Sequence, residues 1–250
     1  MTSFAIKLIA ILAMTVDHTA AIFGQEGLMS LFPSLTLTCS YHIINIMRGV
    51  GRIAFPLFAF QVAQSSRKTH SMTKYIGRLA LLAVLAEPIF YASLSLEAAT
   101  VQGFLKNLLG FNLNNVFFTF TLAVSVIYIY QLLEAKKHRW ILFIPAFAAG
   151  IFLCGYIGSD YGMPGILLVV LMYLSKTKLH TCIVITVWSI CVYLAPGLLL
   201  YNVVDCLCAI LSCVLICIYN GERGKSFKWF FYIYYPTHLL ILSLLRGVIS

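Results

Sequence analysis

The chain has 250 residues, 61% of them hydrophobic and 10% charged, and its mean hydropathy is +0.95. Soluble domains carry about 25% charged residues and cannot bury so much apolar surface, so a soluble globule is excluded and a polytopic membrane protein is indicated. A net charge of +9 would suggest nucleic acid as partner of a soluble protein, but here the basic residues lie between apolar runs and no nucleic acid is expected.

A helix needs about 20 residues to cross the hydrocarbon core. Nine spans are predicted on that measure: Phe4–Phe23, Ile43–Ser65, Tyr75–Leu96, Asn115–Leu133, Trp140–Ile157, Tyr161–Ser175, Cys182–Leu199, Val203–Tyr219 and Trp229–Val248. The first reads as a retained helix rather than a cleaved signal, because Asp17-His18 interrupts it. The sixth is short, and its Gly-Met-Pro-Gly start predicts a broken or re-entrant helix. A further partial helix fits within Thr100–Leu113. The fold class is therefore an all-α integral membrane protein of about nine transmembrane helices, forming a single domain over residues 1–250.

Every second loop is basic: Ser65–Arg78, Glu134–Arg139, Ser175–His180 and Asn220–Lys228. The alternate loops hold Glu26, Glu97 with Lys106, and Asp160. The positive-inside rule then places the N-terminus in the cytoplasm and the C-terminus outside, in a multi-pass protein of the inner or plasma membrane. Eight cysteines are present without a C-x-x-C pair, so they read as small packing residues and no metal site is expected.

With the loops set aside, a few polar groups remain at membrane depth. Asp17 and His18 lie in the first span, Arg48 and Arg52 one turn apart in the second, Glu87 before Pro88 in the third, and His238 in the ninth. Asp205 and Asp160 stand near span starts, and Asn114-Asn115 opens the fourth. Intramembrane ionisable residues avoid lipid, so these groups should face one another across the bundle. Pairing that only fixes helix packing, such as Arg52 with Glu87 or Asp17, is one reading; a functional polar cavity is the other.

Histidine suits general-base work near neutral pH. Adjacent helical residues point about 100° apart, so Asp17 should bond an arginine rather than the His18 ring. Lys7 stands eleven residues before His18. Eleven residues give about 20° beyond three full turns and a rise of about 16 Å. Both side chains thus share one stripe, which suits a long ligand with a phosphate head at Lys7 and a reactive end at His18, such as a phosphopantetheine arm. Pro56 in "GRIAFPLFAF" (Gly51–Phe60) and Pro236 in "FFYIYYPTHLLIL" (Phe230–Leu242) should kink helices beside these residues.

Six stretches carry a family resemblance: Lys7 to His18 ending in "VDH", "GRIAFPLFAF", "RLALLAVLAEP" (Arg78–Pro88), "NNVFFT" (Asn114–Thr119), "SDYGMPGILL" (Ser159–Leu168) and "YYPTHLLIL" (Tyr234–Leu242). In this order, over nearly the whole chain, they resemble the TraX family, named for the conjugative pilin acetylase. That family looks like a distant branch of the transmembrane acyltransferases, which include the acyltransferase 3 proteins and heparan glucosaminide acetyltransferase. In acyltransferase 3 proteins an arginine precedes the catalytic histidine by eleven residues; Lys7 takes its place here and loses bidentate phosphate binding.

The resemblance implies transfer of an acetyl or similar acyl group from cytoplasmic acyl-CoA, with acetyl-CoA as donor, to an acceptor at the outer face. The acceptor stays open between a protein amine, a glycan and a small molecule. His18 would be catalytic base or acyl carrier, with Asp17 and Arg52 in its pocket. Lys7, Arg48 and Arg78 would hold the donor, and Glu87, Asn115, Asp160, Tyr161, Tyr235 and His238 would line the polar cavity. Two competing readings are a small-solute transporter or exporter using the same charges as a substrate or proton path, and a non-catalytic assembly protein.

Overall fold

The computed structural model describes residues 1–95, 100–194, 203–225 and 227–249. Glu97, the end of the third predicted span at Leu96 and the end of the seventh at 195–199 lie outside the described residues. Eleven helices are described: α1 (Ser3–Leu31), α2 (Leu37–Gly51), α3 (Ala54–Lys68), α4 (Met72–Leu94), α5 (Val101–Asn107), α6 (Val116–Leu133), α7 (Arg139–Ile157), α8 (Gly162–Leu174), α9 (Lys178–Tyr193), α10 (Val203–Cys217) and α11 (Lys228–Ile249). Among the described residues there is no strand. Six helical segments, with α2 and α3 joined as one, are long and apolar enough to cross a membrane, and α8, α9 and α10 are shorter apolar helices. The protein is an all-helical polytopic membrane protein. The short α5 occupies the stretch expected to hold a partial helix.

The kink expected at Pro56 appears as a break in the second span. Proline has no N–H and its ring clashes with the carbonyl four residues earlier. For Pro56 that carbonyl belongs to Arg52, and the helix breaks there: Arg52 N–H and Ile53 N–H donate instead to Gly49 O (3.0 Å) and Val50 O (3.2 Å). Pro56 falls in the first turn of α3, where no N–H is required. The same logic keeps α8 whole. Its Pro164 also sits in the first turn, so the helix runs unbroken over its 13 residues. A second departure lies in α1 at Gly24, whose φ of 59° belongs to the region that favours glycine.

The four basic loops and the N-terminus share one end of the bundle. Arg67 in the last turn of α3 donates to the carbonyls of Tyr173 and Ser175 at 2.6 Å, and Gln131 of α6 donates to Ser66 O at 3.1 Å. Lys68 donates to Gly221 O at 3.0 Å, Lys178 to Cys217 O at 2.8 Å, and Ser3 N–H to Glu222 O at 2.8 Å. At the opposite end Arg246 pairs with Glu26 at 3.8 Å.

Helices α3, α6 and α8 pack together at the centre, while α1 lies against α2, α3 and α11, and α4 against α6 and α11. A smaller apolar cluster joins α1, α3, α4 and α11 through Met14, Ala54, Phe90, Tyr235 and Leu239. The outward faces are apolar too: Ile141, Phe152 and Leu153 of α7 and Leu81 and Leu85 of α4 are exposed. Helices apolar all round belong in lipid.

Candidate active site

Asp17 and His18 leave α1 on different faces. Asp17 Oδ2 accepts from Arg48 Nη1 at 2.8 Å. It reaches α2 because position 51 is glycine: a Cβ there would overlap the Asp17 side chain. Arg52, in the break between α2 and α3, donates from Nε to Asp205 Oδ2 at 3.2 Å. The two arginines thus take Asp17 and Asp205, and neither pairs with Glu87.

His18 turns toward α11. Its Nδ1 lies 2.7 Å from His238 Nε2, and His238 Nδ1 lies 2.9 Å from Tyr234 O. The tautomers follow. A carbonyl only accepts, so His238 Nδ1 donates to it. With both rings neutral, His238 Nε2 is an acceptor and takes the Nδ1 proton of His18 in a hydrogen bond. Nε2 of His18 is then the lone-pair nitrogen, the atom that can take a proton or an acyl group. The two rings lie edge to edge and nearly coplanar, with centroids 5.0 Å apart; Tyr234 lies parallel to His238 at 5.1 Å and Tyr235 edge-on to His18 at 6.2 Å.

A cleft of ≈ 180 Å³ approaches this pair from the basic end. Lys7, Arg223 and Lys225 stand at its mouth, and Phe4, Lys7, Ile11 and Met14 carry it along one stripe of α1. Its throat is apolar, formed by Met14, Phe117, Phe120 and Tyr235. His18 is not on the wall; it lies one helical turn beyond Met14. The Lys7 ammonium sits over the Phe231 ring at 5.4 Å. Arg78 joins the cleft through Tyr75, a wall residue, with its guanidinium 5.9 Å from that ring. Arg48 stands apart from Lys7 and Arg78, against Asp17. A second groove of ≈ 410 Å³, lined by Thr15, Tyr234, Thr237 and Leu242 among others, reaches His238.

Glu87 and Asn115 do not open onto this cleft as donor or acceptor groups; they clamp the start of α6. Glu87, fully buried, accepts Asn114 N–H at 2.9 Å on Oε1, and Asn115 N–H at 3.0 Å and Asn115 Nδ2 at 2.7 Å on Oε2. Asn115 also donates from Nδ2 to Ala83 O at 2.8 Å and caps α6 by accepting from Phe117 N–H at 3.0 Å. The loop before α8 hangs from the same corner, with Asp160 N–H donating to Asn114 O at 2.7 Å and Thr119 Oγ1 to Asp160 O at 2.5 Å. Loss of water around Asp160 pushes its carboxyl up to about 6. Tyr161 takes a left-handed φ of 60° and stacks on Phe55 at 3.6 Å.

The model of the TraX protein family matches residues 3–246. The chain belongs to the TraX family. It is also similar to the "Probable fimbrial assembly protein FimC, serogroup H1" of Dichelobacter nodosus, with 26% identity over 262 residues covering 96% of this chain and 94% of that protein. No solved structure matches it.

In this TraX protein several cleft residues carry no mark in the sequence that singled them out. Arg223 and Lys225 count there only toward topology, and Tyr75 and Tyr232 fall among ordinary interfacial aromatics. Gln61 had a usable signal: it is an uncharged polar residue between Phe60 and Val62, one turn inside the end of an apolar run. Among the described residues no group of three or more His, Cys, Asp or Glu is placed to hold a metal.

Proposed function

We propose that this TraX protein is an integral-membrane acyltransferase that moves an acetyl or similar group from acyl-CoA to an acceptor delivered from the opposite side. One observation carries the reading: a cleft leads from three cationic side chains at the basic end, along the Lys7 stripe, to the turn before the His18–His238 pair. Cations at a mouth suit phosphates, and an apolar throat suits the uncharged arm that follows them. Lys7 and His18 are separated by a rise of about 16 Å, a length that an extended phosphopantetheine arm can cover.

The basic end faces the cytoplasm, where acyl-CoA is found, and α11 ends outside. In the transfer step the acceptor's amine or hydroxyl attacks the thioester carbonyl. His18 Nε2 takes its proton, the C–S bond breaks, and the thiolate leaves as CoA-SH after receiving that proton. If His18 instead carries the acyl group, the same nitrogen attacks the thioester carbonyl and the C–S bond breaks to release CoA. The acceptor then attacks the acyl-imidazole, breaking its N–acyl bond and giving up the proton that converts the thiolate to CoA-SH. His238 holds the His18 ring in the required tautomer. The acceptor belongs to pilus or fimbrial assembly, the process named in the Dichelobacter nodosus relative.

Purified protein in nanodiscs, supplied with acetyl-CoA and candidate acceptors, tests this by thiol release and acyl label. Release that disappears in His18→Ala supports the acyltransferase. Absence of acyl-CoA binding and turnover with broad acceptor mixtures would remove it, and flux measurements on the transporter reading would follow.

A further inference from the structure

Gln61 stands on the cleft wall in α3, one turn inward of Ser65 and one turn outward of Phe58. It is only 4% exposed. Its Oε1 accepts from the Ser3 hydroxyl at 2.5 Å, while Nε2 is buried with no hydrogen-bond partner. Native proteins rarely leave such a group unmet, and an exception calls for a ligand, water or function. The cleft supplies a setting for a ligand. Gln61 meets the first turn of α1 at Ser3, the end where Arg223 and Lys225 also line the cleft and one turn short of Lys7; inward lie Ile11, Met14, Phe58 and Phe117, which offer no polar group to it.

We propose that Gln61 hydrogen-bonds a secondary amide in the arm of a pantetheine thioester and so sets the depth of that arm in the cleft. The proposal rests on the donor reading above and adds a residue to it. The chemistry of the wall is the argument: cations and one side-chain amide share the mouth end, and an apolar throat follows. A CoA arm has matching parts, with phosphates and amides leading to a thiol at the far end. A fatty acyl chain has no amide to meet Gln61, and a peptide has no phosphate for the mouth. The assignment does not depend on how the side-chain amide is turned. Ser3 occupies one end in either orientation, and a secondary amide presents both a donor and an acceptor to the other.

The test is equilibrium binding to the full-length protein in nanodiscs, with CoA and adenosine 3′,5′-bisphosphate as probes. The bisphosphate keeps the nucleotide end and lacks the arm. Gln61→Leu should weaken CoA about tenfold, the scale of one buried hydrogen bond, and leave the bisphosphate unchanged. Gln61→Met removes both ends of the side-chain amide without adding charge and keeps its length, so it should show the same selective loss even where the leucine variant folds poorly. Lys7→Ala should weaken both probes. If folded Gln61 variants bind CoA as the wild type does, Gln61 is not an arm ligand and the donor reading stands. If the wild type binds neither probe, the donor reading falls and the Gln61 assignment falls with it.

Discussion

Two polar knots are buried in the same apolar bundle, and they are built to opposite ends. In the Glu87–Asn115 knot both carboxylate oxygens are occupied, by two backbone N–H groups and one side-chain amide. In the His18–His238 knot the chain of hydrogen bonds ends at a backbone carbonyl on one side, and its tautomers leave a lone pair on the other. A closed knot fixes structure; an open one has an atom to offer. Buried polar groups at membrane depth are therefore sorted by what their hydrogen bonds leave over rather than by their charge or depth.

This contrast can be broken by substitution. The largest effect is expected at the open knot: His18→Ala should lower acetyl-CoA turnover about 10²- to 10⁴-fold, the range of general-base catalysis, with thermal stability in detergent near that of wild type. Glu87→Ala should do the reverse. It strands three buried donors and should cost about 3 kcal/mol or more, read as a lost yield of folded protein or a lower Tm, with turnover per folded molecule largely kept. Comparable stability losses from both substitutions would erase the distinction.

His238→Ala sharpens the comparison from within the open knot. It acts through His18, so its turnover loss should be smaller than at His18, about 10-fold, with KM for acetyl-CoA unchanged. Gly51→Ala should push α1 away from α2 by placing a methyl group where Asp17 sits, at a cost of about 1–3 kcal/mol in a denaturation series. The smallest change is expected outside both knots. Cys217→Ala, whose thiol lies 3.7 Å from the Cys182 sulfur on a partly exposed face, should stay within about 0.5 kcal/mol.

Much of the fold was legible because lipid imposes a simple rule on helix length and polarity. All nine predicted spans have apolar helices at their positions, although the shared helix limits shift by several residues. The break in the second span shows where legibility stops. Pro56 announced a kink, but its place depends on the ring's clash with Arg52 four residues earlier, and so does the hydrogen-bonding freedom of Arg52. The Gly-Met-Pro-Gly stretch around Pro164 suggested a broken or re-entrant helix, and α8 begins there at Gly162 and runs on without interruption, because a proline in the first turn needs no N–H. At the candidate site, the separation of Asp17 from the His18 ring and the Lys7 stripe follow from helical periodicity. The His18–His238 contact does not, since periodicity within one helix carries no information about which helix lies beside it. Glu87 was misleading for a related reason: whether a carboxylate is open or closed depends on Asn114 and Asn115, 27 and 28 residues away.

The His18–His238 contact joins α1 to α11 across 220 residues of chain. A ribosome must deliver nearly all the helices before these two rings can meet. A half-made chain, already inserted and already holding Lys7 and His18, lacks the partner that fixes the His18 tautomer. The pair is thus assembled last, so full activity waits on the final helix.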